Sequence, residues 1–394
     1  MPVEIAARVS RVKPSPTVAL TGRVARLKAE GKDIIGLGVG EPDFDTPAHI
    51  SDAGVEAIRK GFTRYTAVEG IPELKDAIIG KFKRDNGLTY TRPQVLVSTG
   101  AKQTIYNLFM AVIDPGDEVV IPAPYWVSYP DMALLADGVP VMPYAGPDQG
   151  YKITPAQLEQ AITARTRVFM LNSPSNPTGA AYTRAELEAL GAVIAKHPRV
   201  IVATDDMYEH IYWAPEPFCS FLTANPQLYD RTVTINGVSK SYAMTGWRIG
   251  YCGGPVEIIT AMSTIQSQST SNPVSMSQKA AVAAINGDQA CVAAMNEHFK
   301  ARHDYFNAGL NALPGFKVLP AAGTFYAFCD VSGAIRNLGL VDDNAFAEYL
   351  LEKAGVAGVP GSGFGAPGHI RFSFAVSMQT LEQALERIGK AVRG

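Results

Sequence analysis

The 394-residue sequence lacks several features that mark particular classes of protein. Lys and Arg number 35 against 37 Asp and Glu, a net charge of -2, so the basic excess of a nucleic-acid-binding protein is missing. No segment approaches the roughly 20 consecutive apolar residues of a membrane helix. The segment 1–16 also lacks the apolar core of a signal peptide. We therefore expect a protein that binds neither nucleic acid nor membrane.

Cysteine is also scarce. The four cysteines, Cys219, Cys252, Cys291 and Cys329, stand far apart, without metal-ligand spacing and without the density of a disulfide framework. Free cysteine is among the most buried residue types. We therefore expect buried reduced thiols, no metal site and a cytoplasmic location.

What the sequence does have is 47% hydrophobic residues and an alternation of strand-like and helix-like segments between about residues 50 and 285. One predicted helix covers Ala101–Val112, and two more begin with capping boxes at Thr154 and Thr183. Alternating strands and helices are typical of an α/β layer with a mainly parallel sheet. The predicted strands are Val95–Ser98, Glu118–Ile121, Val139–Pro143, Thr166–Leu171, Val200–Thr204, Thr232–Ile235 and Arg248–Cys252.

The last hundred or so residues change character. Helical segments run from about residue 275 to 312, and a further helix is predicted over Asn344–Lys353. Strands are predicted at Thr324–Cys329 and Ile370–Ala375, which together indicate a separate α+β domain. The first helix is expected only after about residue 48. We predict three parts: an N-terminal arm with part of the small domain (1–48), a large domain (49–288) and a small C-terminal domain (289–394).

Polar loops follow three of the predicted strands. Ligands in parallel sheets bind beyond the carboxyl ends of the strands. The loop Ser98–Gln103 leads into a helix whose free N–H groups suit a phosphate. The acids that open Asp205–Tyr208 follow an apolar strand, where a carboxylate can keep a ring nitrogen protonated. The loop Asn172–Gly179 is stiffened by two prolines, which suits holding Asn176 in place.

A lysine flanked by small residues follows the next strand. Lys240 lies between Ser239 and Ser241 and is a candidate for burial and a lowered pKa, as a Schiff-base lysine requires. Arg248 follows eight residues later and can pair with a phosphate. Each of these signals alone is explained as well by an ordinary turn or by solvated charges. Together they provide a phosphate site, an acid, an amine and an arginine, which pyridoxal-phosphate chemistry requires of a protein.

With these motifs the sequence resembles the fold-type I pyridoxal-phosphate aminotransferases, and within them the bacterial aspartate aminotransferases of subgroup I-beta. The resemblance runs from about Lys13 to the end, and the run Ala243–Tyr251 with Asn176–Gly179 upstream is highly specific. It implies a large domain with a mainly parallel seven-stranded sheet, a smaller α+β domain, and a homodimer with shared active sites. The matching stretches are Gly40–Pro47, Pro124–Pro130, Asn172–Gly179, Asp205–His210 and Ser239–Tyr251.

The resemblance also implies which residues hold the cofactor. Lys240 carries pyridoxal phosphate as a Schiff base and moves the substrate's proton. Asp205 pairs with the ring nitrogen, and Tyr208 with Asn176 hydrogen-bonds the phenolic oxygen. Trp126 stacks on the ring. The residues implied at the phosphate are Gly100, Ala101, Lys102, Ser239 and Arg248, together with Tyr65, which reaches the phosphate of the neighbouring subunit.

For the substrate, the resemblance implies that Arg371 binds the α-carboxylate through its bidentate fork, with Trp126 and Asn176 beside it and the Gly40 loop closing over it. The distal carboxylate is read by Lys102, Ser15 and Thr17. The reaction implied is ping-pong amino transfer between aspartate or glutamate and a 2-oxo acid. Lys13 matches a lysine that accompanies use of prephenate, which would give arogenate.

Three positions depart from the family pattern and leave other interpretations open. Ala101 stands where glycine is frequent, Gly237 where other subgroups have serine, and Phe374 where the family has tyrosine. An aromatic or broad-specificity aminotransferase is therefore an alternative. A pyridoxal-phosphate-binding regulatory module is a second, although no DNA-binding helix-turn-helix is visible near the N-terminus. A dehydrogenase is excluded because Gly361–Ala366, which fits GxGxxG/A, has no strand before it or helix after it.

Overall fold

The structure is a computed structural model that describes residues 3–393. Met1, Pro2 and Gly394, which belong to the predicted first and third parts, lie outside the described residues. The strands are β1 Ile35–Gly36, β2 Val95–Ser98, β3 Glu118–Val120, β4 Val139–Val141, β5 Thr166–Asn172, β6 Ile201–Asp205, β7 Thr232–Gly237, β8 Gly250–Gly253, β9 Lys317–Val318, β10 Tyr326–Asp330, β11 Val356–Ala357, β12 Val359–Pro360 and β13 His369–Ser373.

The largest sheet within residues 3–393 has seven strands in the order β2-β8-β7-β6-β5-β3-β4. Strands β4, β3, β5, β6 and β7 run parallel, whereas β8 is antiparallel to both β7 and β2. The predicted mainly parallel sheet is confirmed. Because β5 and β6 are parallel and in register, Asn172 lies directly beside Asp205 at the carboxyl edge of the sheet.

Helices cover both faces of this sheet and build much of the remaining chain. The two predicted capping boxes are confirmed, with Thr154 accepting from the backbone N–H of Gln157 and Thr183 from that of Glu186. The helices are α1 Ala7–Ser10, α2 Pro16–Ala29, α3 Ala48–Arg59, α4 Pro72–Asn86, α5 Ala101–Val112, α6 Ser128–Leu135, α7 Pro155–Ala161, α8 Arg184–Ala195, α9 Phe221–Ala224, α10 Val256–Ser267, α11 Ser275–Asn286, α12 Ala290–Asn311, α13 Ser332–Asn337, α14 Asp343–Tyr349 and α15 Met378–Arg393.

Helix α1 and the longer helix α2 correct the expectation that the first helix follows residue 48. Helix α2 begins with Pro16 at its first position, a favoured place for proline because that N–H would be unpaired anyway. None of its residues is buried. Leu20, Val24 and Leu27 have the spacing of one helix face, and they are only partly buried against the rest of the chain.

A second, four-stranded sheet lies in the C-terminal part of the described chain, in the order β12-β13-β10-β9. Its strand pairs are antiparallel, and α12 packs on β9 and β10. The predicted smaller α+β region is thus present. Strand β1 pairs with β11, which joins the N-terminal segment to this region, but the exact domain boundaries stay a prediction.

The cysteines are free thiols. Cys219, Cys252 and Cys329 are buried as expected, whereas Cys291 is partly exposed, which corrects the expectation for that residue. Among residues 3–393, no helix combines the length and the apolar character needed to cross a membrane.

Candidate active site

A cavity of about 260 Å³ opens at the carboxyl edge of β5, β6 and β7. It gathers residues from both sheets and from helix α2, which lie far apart along the chain. The predicted site residues that line it are Ser15, Thr17, Gly40, Ala101, Lys102, Trp126, Asn176, Asp205, Tyr208, Ser239, Lys240, Arg248 and Arg371. The structure therefore brings together most of the residues that the sequence predicted.

Lys240 lies three residues after the end of β7. Its ammonium nitrogen Nζ donates a hydrogen bond to the backbone oxygen of Gly40 at 2.5 Å. Burial lowers the pKa of this amine to about 8. About a tenth of the amine is therefore unprotonated at pH 7, far more than of a free lysine, and this is the form that attacks a carbonyl carbon.

Asp205 is the last residue of β6 and is buried. Its Oδ2 accepts a hydrogen bond from the Tyr129 hydroxyl at 2.6 Å, and its Oδ1 accepts from the Met207 backbone N–H at 3.2 Å. Burial raises the pKa of the Asp205 carboxyl, and the hydrogen bond from Tyr129 opposes that rise. No salt bridge to Asp205 forms within residues 3–393. A cation in the cavity, such as a protonated ring nitrogen, would compensate this carboxylate.

An anion site lies at the start of α5. The helix begins after Gly100 without a side-chain cap, so its first N–H groups are free. Gly100 has φ +82°, and a Cβ there would lie 2.3 Å from Nη2 of Arg248, so the guanidinium rests against the helix start. A Cβ at Gly250 would meet the Ala101 nitrogen at 2.1 Å. Glycine at these two positions therefore permits the close approach that forms a phosphate-sized cradle.

Arg248 corrects one strand boundary. The sequence predicted a strand from Arg248, but β8 begins at Gly250 and Arg248 has φ 57°, in the left-handed region. It follows a short helical turn, Thr245–Trp247. This backbone conformation, which is uncommon for a residue with a side chain, ends the turn and places the guanidinium against Gly100.

Arg371 lies in β13 and is only 1% exposed. Its Nη1 donates to Oδ1 of Asn176 and its Nη2 to the backbone oxygen of Gly38, both at 2.8 Å. Within the described chain, its Nε has no hydrogen-bond partner and its guanidinium forms no salt bridge. A buried cation without a counter-charge is costly, so the position fits the carboxylate of a ligand.

The charges around the cavity are unbalanced. Lys102, Arg248 and Arg371 line it, and none of the three has a carboxylate oxygen within 4.0 Å among residues 3–393. Burial, and then the neighbouring Arg248, lower the pKa of Lys102. The excess positive charge fits a ligand that carries a phosphate and carboxylates, and Asp205 supplies the single opposing acid of the lining.

Three predicted residues stand apart from the cavity lining. Gly100 packs against the guanidinium of Arg248. Tyr65 is 92% exposed and does not line the cavity. Lys13 lines a neighbouring cavity of about 500 Å³, which shares Ser15, Lys102 and Arg248 with the first. The roles predicted for Tyr65 and Lys13 stay predictions.

The structure adds residues that sequence reasoning missed. Tyr129 holds Asp205, and it lies in the resembling stretch Pro124–Pro130, which offered a signal. Asn172 donates through Nδ2 to the backbone oxygen of Asp205 and accepts through Oδ1 from the Asn176 N–H, at 2.8 and 2.7 Å. It directly follows the predicted strand Thr166–Leu171, another signal. Tyr326 lies inside an apolar strand, where nothing in the pattern distinguishes it from core residues.

Two departures from the family pattern have a physical explanation. A Cβ at Gly237 would lie 2.9 Å from Cε of Met207 and 3.0 Å from the Ile249 backbone oxygen, so a serine there requires its neighbours to move. Phe374 is buried, with its ring 5.9 Å from that of His303. It packs as core and has no polar partner to lose.

The chain is similar to known proteins in sequence and in structure. The family described as aminotransferase class I and II matches residues 32–388. An aspartate/prephenate aminotransferase of Nitrosomonas europaea is 57% identical over 392 residues, covering 98% of this chain and 99% of that protein. One of Cereibacter sphaeroides is 54% identical over 385 residues, covering 96% of each.

Solved structures agree with these relatives. The aspartate aminotransferase of Rhizobium meliloti superposes with a TM-score of 0.95 at 47% identity, covering 100% of this chain and 99% of that one. The aspartate aminotransferase of Thermus thermophilus with maleate superposes with a TM-score of 0.93 at 42% identity, covering 99% and 100%.

Proposed function

This chain belongs to the class I and II aminotransferases, and on that premise we propose that it transfers amino groups between aspartate or glutamate and the oxo acids oxaloacetate and 2-oxoglutarate. The reaction is a ping-pong exchange with pyridoxal phosphate held at Lys240. One observation carries the proposal: Lys102, Arg248 and Arg371 surround Lys240 without carboxylate partners in the described chain. A phosphate and the two carboxylates of an acidic amino acid supply the missing negative charge.

The cofactor, when bound, supplies an electron sink that stabilises negative charge at the substrate's α-carbon. The chain's own residues would hold and orient it. Asp205, itself held by Tyr129, would pair with the ring nitrogen. The start of α5 with Arg248 would hold the phosphate, Tyr208 and Asn176 the phenolic oxygen, and Trp126 the ring, while Ser239 lines the same cavity.

The substrate contacts follow from the two ends of the cavity. The Arg371 fork binds the α-carboxylate, and its hydrogen bonds to Asn176 and Gly38 fix its orientation. Lys102, Ser15 and Thr17 bind the distal carboxylate. Lys240 lines the same cavity and moves the proton at the α-carbon. A pKa of about 8 suits a group that both accepts and returns a proton near neutral pH.

We further propose prephenate as a second amino acceptor. The neighbouring cavity of about 500 Å³ adjoins the distal end of the site through Ser15 and Lys102, and Lys13 and Tyr106 line it. It offers space and charge for a ring that carries a carboxylate. Prephenate with glutamate as donor should yield arogenate, and Lys13→Ala should lose this turnover while keeping aspartate turnover. Absence of any product with prephenate would contradict this part of the proposal.

A homodimer with shared sites is proposed from Tyr65. Its ring is 92% exposed, which is unusual for so large an apolar group and is explained if it contacts the phosphate in a neighbouring subunit. Mixing inactive Tyr65→Ala chains with inactive Lys240→Ala chains should restore activity, because one of the two sites in a mixed dimer then has both residues. No restoration in exchanged dimers would contradict sharing. The cytoplasmic location stays a prediction.

The test of the central proposal is an absorbance spectrum followed by kinetics. The purified protein should carry a lysine-bound chromophore that shifts when glutamate is added. Lys240→Ala should lower turnover by about a hundred- to ten-thousandfold, while Lys60→Ala, a change at a surface lysine, should not. A strong preference for alanine or branched amino donors over aspartate would contradict the substrate assignment. Preference for phenylalanine would favour the aromatic alternative, and ligand binding without turnover the regulatory one.

A further inference from the structure

Tyr326 contacts three parts of the candidate site at once. It lies in β10 and pairs with Ser373 of β13, the strand that also carries Arg371. Its side chain is 1% exposed, and it lines the cavity. The small sheet therefore places a phenol at the edge of the site formed by the large sheet.

The first contact is with Tyr208. The two hydroxyl oxygens are 2.9 Å apart and hydrogen-bonded. Burial raises the pKa of both phenols, so each keeps its proton and one must donate to the other. Within the described residues, Tyr326 is the hydrogen-bond partner of the Tyr208 hydroxyl. If Tyr326 donates, the proton of Tyr208 is free to point into the cavity.

The second contact is with Arg371, whose guanidinium carbon lies 4.3 Å from the centre of the Tyr326 ring. A cation over an aromatic face is attracted to it, most strongly where water is excluded. The third contact is with the Gly40 backbone, where a Cβ would lie 2.4 Å from the Tyr326 hydroxyl oxygen. The same Gly40 accepts the hydrogen bond of Lys240. The phenol is thus confined on all of these sides.

From this arrangement we infer that Tyr326 is a positioning residue that acts through Tyr208 and Arg371. Its hydroxyl orients the Tyr208 hydroxyl toward the cofactor's phenolic oxygen, and its ring supports the guanidinium that binds the substrate carboxylate. The inference rests on the proposed function. It predicts that the hydroxyl and the ring of one residue have separable effects.

The hydroxyl is tested with Tyr326→Phe, which keeps the ring. We expect kcat to fall about three- to tenfold, the effect of one hydrogen bond, with little change in KM for aspartate. The pH midpoint of the bound cofactor's absorbance should move to higher pH by about 0.5 to 1 unit, since Tyr208 then stabilises the deprotonated form less. In a Tyr208→Phe background the same change should leave the midpoint where it is.

The ring is tested with Tyr326→Leu. Beyond the effects of the phenylalanine variant, it should weaken binding of succinate, a dicarboxylate without an amino group, about three- to tenfold. Calorimetry on the apoprotein measures this without turnover. Tyr326→Phe should bind succinate like the unchanged protein.

The matched control is Tyr90→Phe. Tyr90 is also buried, and its hydroxyl donates to Oγ1 of Thr234 at 3.3 Å, outside the cavity lining. This variant should change neither kcat nor the midpoint. If Tyr326→Phe has an unchanged kcat and midpoint, or if Tyr90→Phe shifts both equally, the inference is overturned although the enzyme is active. If the unchanged protein transaminates no amino acid, the proposed function itself fails and this inference with it.

Discussion

Two groups of charged side chains lie near the segment Asp205–Tyr208. They differ in whether the chain itself supplies their counter-charges. In the first, here called the inner group, buried Lys81 forms an ion pair with buried Glu209 and donates to Oδ1 of Asn86 at 2.8 Å. On the cavity side, Lys102, Arg248 and Arg371 have no carboxylate partner among residues 3–393. In the inner group the chain supplies the counter-charge. At the cavity the cations are left without one, and we expect a ligand to supply it.

The inner group fastens the catalytic segments to each other. The Glu209 carboxylate accepts hydrogen bonds from the side-chain amides of Asn86 and Asn236, each at 2.8 Å. Asn236 lies in β7, and its Oδ1 accepts from the Gly237 N–H at 2.7 Å. The segment that follows β6 is thereby tied to the strand that leads to Lys240, so we assign these charges a structural role.

The largest effect on stability is expected from a substitution in the inner group. Lys81→Met leaves Glu209 buried without its cation, and we expect the free energy of unfolding to fall by about 3 to 5 kcal/mol. Urea denaturation measures the loss. Turnover per folded molecule should stay close to that of the unchanged protein. Lys81→Met combined with Glu209→Gln removes both charges and should recover part of the stability. The recovery is incomplete because Asn86 and Asn236 donate to different carboxylate oxygens, and glutamine keeps only one of them.

The same change from lysine to methionine at the cavity should affect substrate binding and leave stability almost unchanged. Lys102→Met removes a cation that has no carboxylate partner in the described chain, and stability should change by less than about 0.5 kcal/mol. With saturating cofactor, KM for aspartate should rise about 10- to 100-fold, the cost of losing a charged hydrogen bond, while alanine turnover is unaffected. A stability loss as large as that of Lys81→Met would contradict the contrast.

The acidity of Lys240 gives a third measurement. Only the unprotonated amine captures an aldehyde, and burial lowers its pKa from 10.5 to about 8. The rate at which the apoprotein captures pyridoxal phosphate should therefore rise with pH up to about 8 and then level off. The control is free lysine acetylated on its α-amino group. Its side-chain amine should keep gaining reactivity up to about pH 10.4. If the capture rate of the protein rises in parallel with that of the control, the site does not lower the pKa of Lys240.

The smallest effect is expected from a helix-cap substitution, which serves as the reference for the variants in both groups. Thr183→Ala removes the cap of α8, where Thr183 accepts from the Glu186 N–H at 3.3 Å. Stability should fall by about 1 kcal/mol, with kcat and KM unchanged for every substrate. Thermal denaturation and steady-state kinetics on the same preparation check it. Any loss of activity here means that modest destabilisation alone impairs the site, which would weaken the interpretation of the two lysine variants.

Much of the fold follows from local pattern. Helix α5 has the predicted bounds Ala101–Val112, and both capping boxes form, since these signals need only neighbouring residues. Helix α2 is not among the predicted helices, although Leu20, Val24 and Leu27 have helical spacing. Arg248 was placed in a strand because its neighbours Ile249–Cys252 are apolar and strand-forming, while its left-handed backbone serves a contact with Gly100 that is remote in sequence.

For the site, the sequence by itself determined the chemical groups: an amine at Lys240, an acid at Asp205, a helix start at Ala101 and an arginine at Arg371. The first three follow a strand or open a helix, and parallel strands bring such ends to one edge. Arg371 lies inside β13 instead, and only the family resemblance indicates it. Only the tertiary structure decided which charges are paired. Glu209 meets Lys81 and Tyr208 meets Tyr326 across more than a hundred residues, because packing two sheets and their helices creates contacts that no local pattern encodes.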